Sequence, residues 1–409
     1  MSKCCIVVGA SHAAAQLAVS LRQEGWEGRI LVIGEEPVIP YHRPPLSKEY
    51  LAGNKTLEEI TIRPREAYEQ AQVEFLLQRR VEGIEPGYKR LTLDDGGTVV
   101  YDKLCLTVGS RVRTVDLPGV DLEGVCYLRN LHDVEQIREH VRAGAGAVIV
   151  GGGYIGLEAA AVLNGLGMKV TVLEMLERVM QRVTAPEVSE FYARVHREEG
   201  VDIRCGTAVS AFEGKSRVER VRCADGSCFE ADLVVIGVGI VPNVELAGDA
   251  GLKTDNGIVV DETTRTSDPD IHAAGDCTLH YNPIYRRMLR LESVQNATDQ
   301  ARVAAAAVCG LDKKYNALPW FWSDQYDLKL QIAGLSQGYD EIVVRGDREG
   351  CRSFAVFYFR EGKVIAVDAV NKPAEFMMGK RLITDRMDVD RKVLADEGVH
   401  MRELLKLKR

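Results

Sequence analysis

Ala147-Val-Ile-Val-Gly-Gly-Gly-Tyr-Ile-Gly-Leu-Glu-Ala-Ala-Ala161 is the stretch from which the fold can be read. The β-branched run Val148 to Val150 predicts a buried strand, and an apolar helix is expected to begin once the turn ends at Gly156. Between them, Gly151, Gly153 and Gly156 form a Gly-x-Gly-x-x-Gly turn. A second β run, Lys169-Val-Thr-Val-Leu173, ends on Glu174. This order of strand, glycine turn, helix, strand and acid is that of a dinucleotide-binding unit. The first glycine makes the tight turn, the second lets the backbone approach a pyrophosphate, and the third lets the helix pack on the strand. The acid accepts hydrogen bonds from the adenosine ribose.

The first residues of the chain repeat the pattern in degraded form. Cys4-Cys-Ile-Val-Val-Gly-Ala-Ser-His-Ala-Ala-Ala-Gln-Leu-Ala-Val19 reads as strand, turn and helix, and Arg29-Ile-Leu-Val-Ile33 as the next strand, closing at Glu35-Glu36. Gly9 keeps the first glycine position, Ser11 takes the second and Ala14 the third. A serine is small enough for a phosphate to approach, and its hydroxyl can donate to it. Taken alone this unit reads equally well as a buried βαβ without ligand. Together with the second unit, about 140 residues later, it predicts two dinucleotides on one chain.

Bulk properties narrow the class. A chain of 409 residues implies two or three domains, and 46% apolar with 27% charged residues is ordinary globular composition. The net charge of -8 argues against nucleic-acid binding as the main task. Cys4, Cys5, Cys105, Cys126, Cys205, Cys223, Cys228, Cys277, Cys309 and Cys351 show no Cys-x-x-Cys pair and no zinc or iron–sulfur spacing. They read as small buried hydrophobes of a reducing compartment, so a cytoplasmic location is expected. His12, His42, His132, His196 and His272 have no ligand spacing, and no metal site is expected. Lys3 with the apolar run after it has the composition of a signal peptide but reads better as the first strand and helix. No apolar run is long enough to span a bilayer uninterrupted, so no membrane segment is expected.

Between the two units, Tyr41-His-Arg-Pro-Pro-Leu-Ser-Lys48 is a proline-stiffened loop with two cations, suited to facing a flat ligand with fixed groups. A helix near Arg63–Ala71 and a hairpin turning at Asp94-Asp-Gly-Gly97 follow, then the strand Lys103 to Val108. Past the second unit, Ile271-His-Ala-Ala-Gly-Asp-Cys277 delivers Asp276 at the end of a short strand, and Leu291 to Ala307 is a long helix cut off by Gly310. Pro319-Trp-Phe-Trp-Ser-Asp-Gln-Tyr326 is the aromatic peak, and alternating runs such as Ser353 to Phe359 predict an antiparallel sheet beyond it. The chain closes on helical stretches and the basic tail Met401–Arg409.

Taken together, the two dinucleotide units, the Arg-Pro-Pro-Leu-Ser-Lys loop, Gly275-Asp276, Glu292-Ser-Val-Gln-Asn-Ala297 and Phe321-Trp-Ser-Asp-Gln325 resemble one family. They occur in this order in the FAD-dependent NADH:ferredoxin reductases that serve Rieske-type ring-hydroxylating dioxygenases and bacterial cytochromes P450. The resemblance covers essentially the whole chain; Ser11 is its departure. It implies an α/β fold of two Rossmann-like, glutathione-reductase-like domains, one for FAD and one for NAD, plus a C-terminal α+β domain. The expected boundaries are 1–109 and 241–318 for the FAD domain, 110–240 for the NAD domain and 319–409 for the C-terminal domain.

The activity implied is NADH:ferredoxin oxidoreduction, with FAD and NADH as cofactors. Hydride passes from NADH to FAD, and single electrons pass to a [2Fe-2S] ferredoxin of Rieske or vertebrate type, which supplies a terminal oxygenase in aromatic hydrocarbon catabolism. Gly9, Ser11 and Ala14 would line the FAD pyrophosphate, with Glu35, or failing it Glu36, on the ribose and Asp276 on the ribitol chain. Lys48 would stand beside flavin N5, paired with Glu158, and Arg43 would contact FAD from the same loop. Glu158 also reads simply as a favourable acid in the first turn of its helix. Gly151, Gly153, Gly156 and Glu174 would hold NADH, the acid repelling the 2′-phosphate of NADPH, with Arg178 on a solvated face. Trp320 and Trp322 share a strand face, either as a core pair or with Trp322 beside the isoalloxazine at the partner surface. Arg302, ahead of Arg286 and Arg290, would dock an acidic ferredoxin. The dithiol that glutathione-reductase-like enzymes carry after their FAD unit is replaced by the proline loop, which removes disulfide reduction. Other readings are an NADH oxidase, a rubredoxin reductase, or an NADH-responsive flavoprotein like apoptosis-inducing factor.

Overall fold

A computed structural model describes residues 3–403; residues 404–409 of the basic tail lie outside the described residues. The chain forms two compact units that alternate along the sequence. The first comprises Met1–His42, Thr56–Arg111 and Ile240–Pro319, the second Arg43–Lys55, Val112–Gly239 and Trp320–Arg409.

The first unit is built on a parallel five-stranded sheet in the order Ile271–Ala273, Lys103–Leu106, Cys4–Val8, Arg29–Gly34, Val73–Leu77. Both faces of its central strand are covered, which is why that strand is a continuous apolar run. Cys5 and Val7 point to a layer holding Ala14, Leu17 and Leu21 of helix His12–Gln23 and Ala301, Ala304 and Ala305 of helix Val294–Val308. The alternate residues Ile6 and Val8 join Leu31, Ile33, Leu104 and Leu106 in a second layer, which includes Leu91 and Leu93 of a small antiparallel sheet. The hairpin turn at Asp94 to Gly97 joins the strands Arg90–Leu93 and Thr98–Val100 of that sheet.

The second unit holds another parallel five-stranded sheet, ordered Asp202–Arg204, Lys169–Leu173, Gly146–Val150, Leu233–Ile236, Val125–Tyr127. It also holds a five-stranded antiparallel sheet ordered Trp320–Gln325, Leu328–Gly334, Lys363–Val370, Phe354–Arg360, Glu341–Arg345, with helix Pro373–Thr384 following. Within it Asp368 is fully buried and receives a hydrogen bond from the Tyr358 hydroxyl at 2.5 Å. Its Oδ1 and the buried hydroxyls of Tyr154 and Tyr192 have no partner among the described residues.

Two expectations are corrected. Cys228 and Cys351 are exposed, each beside a tight polar turn where no apolar layer exists to bury them. Arg178 is not on a solvated face: it donates to the Thr184 carbonyl at 2.8 Å and to Ser189 Oγ at 2.6 Å, tying a turn to the start of helix Pro186–Glu198. Among the described residues no helix is long and apolar enough to cross a membrane.

Candidate functional site

In the second unit the glycine turn folds as its spacing requires. Gly151 has φ +109°, and a Cβ there would lie 2.5 Å from the Gly237 carbonyl oxygen; one on Gly156 would lie 2.1 Å from that of Gly151. Gly153 is different. Its φ of -79° is open to any residue, and an added Cβ would meet nothing within 4 Å. The second glycine is therefore dispensable to the fold and serves to leave room above the helix N-terminus. That helix, Tyr154–Gly165, has no capping side chain and no acid in its first turn. Open space over uncapped N–H groups fits a pyrophosphate. Glu174 accepts hydrogen bonds from Gly152 N–H at 2.7 Å and Leu176 N–H at 2.8 Å, so it braces the loop directly. Each carboxylate oxygen retains a lone pair for a ribose hydroxyl.

Glu158 lies one turn further into the same helix than its sequence position implies. The helix begins at Tyr154, so Glu158 starts the second turn, beyond the reach of the helix-dipole effect. It is 1% exposed, and its charge is balanced by side chains from distant segments. Lys48 Nζ stands 2.7 Å from its Oε2, Ser47 Oγ donates to the same oxygen at 2.6 Å, and Ser323 Oγ donates to Oε1 at 2.5 Å. Burial pushes the Glu158 carboxyl up from its ordinary range, while Lys48 and the two serines pull against it. The proline loop sets the lysine: Pro44–Ser47 is a single 3-10 turn, and Lys48 N–H donates to the Pro45 carbonyl at its end. Arg43 starts the turn and donates to the Arg129 carbonyl at 3.1 Å.

The tryptophans follow the predicted geometry. Trp320 and Trp322 share one face, with ring centroids 5.6 Å apart, and both are half-buried rather than sealed in a core. Lys380 Nζ lies 5.4 Å from the centre of the Trp320 ring.

In the first unit, Gly9 and Ser11 lie at the N-terminus of helix His12–Gln23, which likewise has no side-chain cap and no acid in its first turn. Ser11 has the extended conformation of an ordinary N-cap, so serine needs no special backbone here. Ala14 is fully buried in the layer between helix and sheet, so its side chain packs and does not line a ligand. Asp276 accepts from Ser110 Oγ at 3.1 Å. Glu35 is exposed and reaches Arg80 at 3.4 Å, whereas Glu36 is half-buried and accepts from the Tyr41 hydroxyl at 2.6 Å. The small polar features at this helix N-terminus fit a dinucleotide phosphate as those of the second unit do. Arg302 is exposed on its helix and paired with Asp299 at 2.7 Å; Arg290 is paired with Glu292 at 2.6 Å.

Ser47 and Ser323 are the residues that sequence reasoning passed over. Both stand in motifs quoted for other reasons, Ser47 next to Lys48 and Ser323 next to Trp322, and that adjacency was the available signal.

Comparison with known proteins adds the following. Residues 3–301 match the pyridine nucleotide-disulphide oxidoreductase family, and residues 320–405 match the reductase C-terminal family. The chain is 45% identical to putidaredoxin reductase of Pseudomonas putida, over 98% of this chain and 96% of that one. It is 44% identical to the ferredoxin reductase subunit of 5,5'-dehydrodivanillate O-demethylase from a Sphingobium species, over 98% of each. Among solved structures, the reductase in a covalent putidaredoxin reductase–putidaredoxin complex superimposes with a TM-score of 0.96 at 45% identity, covering 99% of this chain and 98% of that one.

Proposed function

The chain belongs to the pyridine nucleotide-disulphide oxidoreductases, with the reductase-type C-terminal domain, and from that premise we propose that it is an NADH:ferredoxin reductase of an oxygenase system. NADH is its donor, FAD its resident cofactor and a [2Fe-2S] ferredoxin its acceptor, the ferredoxin in turn supplying a Rieske-type dioxygenase or a cytochrome P450. Bound FAD supplies the change from a two-electron to a one-electron reaction; the residues supply position and charge.

The buried Lys48–Glu158 pair carries this reading. A lysine held in a largely dry site by a carboxylate that two serine hydroxyls fix in turn is a fixed cation, and beside bound flavin such a cation would stabilise the negative charge that arrives with hydride. Gly151, Gly153 and Gly156 are assigned to the NADH pyrophosphate and Glu174 to its ribose. An acid there disfavours the 2′-phosphate of NADPH. Gly9, Ser11 and Asp276 are assigned to FAD, with Arg43 and one of Glu35 and Glu36; Trp322 is assigned to the flavin and, with Arg302, to ferredoxin docking. The domain division proposed is FAD binding by 1–109 and 241–318, NAD binding by 110–240 and a C-terminal domain over 319–409. Ten free thiols suit a reducing compartment, and the cytoplasm is the location proposed.

The test compares NADH-driven reduction of cytochrome c by the purified flavoprotein with and without a [2Fe-2S] ferredoxin. Added ferredoxin should raise the rate severalfold. Rapid consumption of NADH by oxygen, with no gain from ferredoxin, would make the protein an NADH oxidase. A gain with rubredoxin alone would make it a rubredoxin reductase.

A further inference from the structure

Glu158 is one end of a longer hydrogen-bonded string inside the second unit. Gln325 Nε2 donates to Ser323 Oγ at 3.2 Å, and Gln325 Oε1 lies 2.9 Å from His196 Nε2. The Tyr326 hydroxyl lies 3.3 Å from His196 Nδ1. Ser323, Gln325, His196 and Glu158 are all at most 2% exposed.

The chemistry of each group fixes the direction of each bond. Ser323 spends its one proton on the carboxylate, so toward Gln325 it must accept, and the amide must turn its NH2 to the serine. The amide oxygen then faces His196 and can only accept, so Nε2 carries a proton. Burial holds the imidazole below its usual range, against a smaller opposing pull from Gln325 and Glu199. The ring is therefore neutral near pH 7, and Nδ1 accepts from Tyr326. Every donor from Tyr326 inward points toward Glu158. In a water-poor interior, aligned hydrogen bonds polarise one another, and the last of them, from Ser323, is strengthened by those behind it.

We propose that His196 is a positioning residue for the Lys48–Glu158 pair: its Nε2–H orients Gln325, Gln325 orients Ser323, and the aligned donors keep Glu158 an anion. The other groups facing Glu158 are Lys48 and Ser47 from the proline loop, Tyr154 on its own helix and Tyr192 on helix Pro186–Glu198. The two tyrosines carry no charge near pH 7, so Lys48 is the one cation among them. Loss of His196 or Gln325 leaves Ser323 unaligned, so Glu158 keeps Lys48, Ser47 and a weakened bond from Ser323 against the same cost of burial, and it takes up a proton at higher pH. Lys48 then keeps only the more distant carboxylate of Asp324, beside Ser323 on the same strand, as counter-charge. The string stands on its own geometry; its effect on turnover rests on the reading of Lys48 and Glu158 given above.

Three measurements on the holoenzyme test this. Nitrogen-15 spectra of histidine-labelled protein should show His196 neutral and protonated on Nε2 around pH 7; an Nδ1–H tautomer or an imidazolium overturns the proposal. Infrared difference spectra, with Glu158→Gln identifying the band, should show Glu158 titrating about one pH unit higher in His196→Phe than in the wild type. His196→Gln, which restores an N–H, should return it toward the wild-type value. Gln325→Met cuts the string at another link with little change in volume and should give the same upward movement. A Glu158 titration that stays put in both His196→Phe and Gln325→Met overturns the proposal. The pH profile of flavin reduction by NADH should move with the infrared titration. If the titration moves and the profile does not, the positioning role stands and the assignment of Glu158 to the hydride step falls.

Discussion

At Glu158 a carboxylate is taken out of water at a cost of several kcal/mol, and its compensation is one ammonium and two hydroxyls. The arrangement is asymmetric. Lys48 is 11% exposed and can be solvated at its own end, while Glu158 cannot. Replacing Lys48 by Met leaves the acid buried without its cation and removes the fixed positive charge. Flavin reduction by NADH in Lys48→Met should slow by about tenfold or more while FAD stays bound. Stopped-flow absorbance checks this, and an unchanged rate would sink the role given to Lys48. Lysine and acid were both legible through the family resemblance, because each sits in a motif that carries it. Ser47 and Ser323 were not, because their bonds to Glu158 join residues 111 and 165 positions apart. The same distance hid the link of His196 to Gln325, and His196 read as a histidine with no ligand spacing.

The two strand–turn–helix elements show which parts of the glycine pattern belong to the fold and which to the ligand. Gly156 meets a backbone oxygen that cannot rotate away, so Gly156→Ala must push helix from strand, at about 1–3 kcal/mol. NADH affinity should fall and FAD content should not; titration of flavin reduction against NADH measures the first, and the flavin-to-protein absorbance ratio the second. Alanine already occupies the third position of the other element at Ala14, fully buried, so the requirement differs between the two units. Spacing made the elements readable, but it did not reveal where the helix begins. That start at Tyr154 is what moves Glu158 out of the dipole's reach.

The strand pair Phe354–Arg360 and Lys363–Val370 carries a second buried acid. Burial pushes the Asp368 carboxyl up to about 7, against a smaller pull from the Tyr358 hydroxyl. The folded protein therefore holds a proton there that the unfolded chain releases near pH 4. In that window the native state binds more protons than the unfolded state, so stability falls as pH rises from about 4 to about 7 and stays lower above it. Asp368→Asn removes the term. Its stability relative to the wild type should improve by a few kcal/mol across this window, measured as the shift in urea midpoint at successive pH values. Parallel curves for the two proteins would refute the assignment.

On the scale of the molecule, two interleaved units mean that motifs adjacent in sequence can belong to different bodies. The proline loop, Arg43–Lys55, is enclosed by segments of the first unit along the chain, yet it packs with the second. Composition and periodicity do not mark that change, since the loop looks like any connection between a strand and a helix. The family resemblance gave the order of the domains; which body owns the loop became visible only in three dimensions.

The sheet of the first unit has a further consequence for how the protein is made. Strand Lys103–Leu106 has Cys4–Val8 on one side and Ile271–Ala273 on the other. A ribosome therefore produces the edge formed by Leu104, Cys105 and Leu106 long before the strand that covers it. During that interval an apolar strand with open backbone donors is a site for mispairing with another chain. Nascent chains stalled before Ile271 has left the exit tunnel should be cut readily by protease within residues 56–111. Chains stalled beyond the helix that ends at Val308 should resist. Equal protection at both lengths would show that the sheet closes without its last strand.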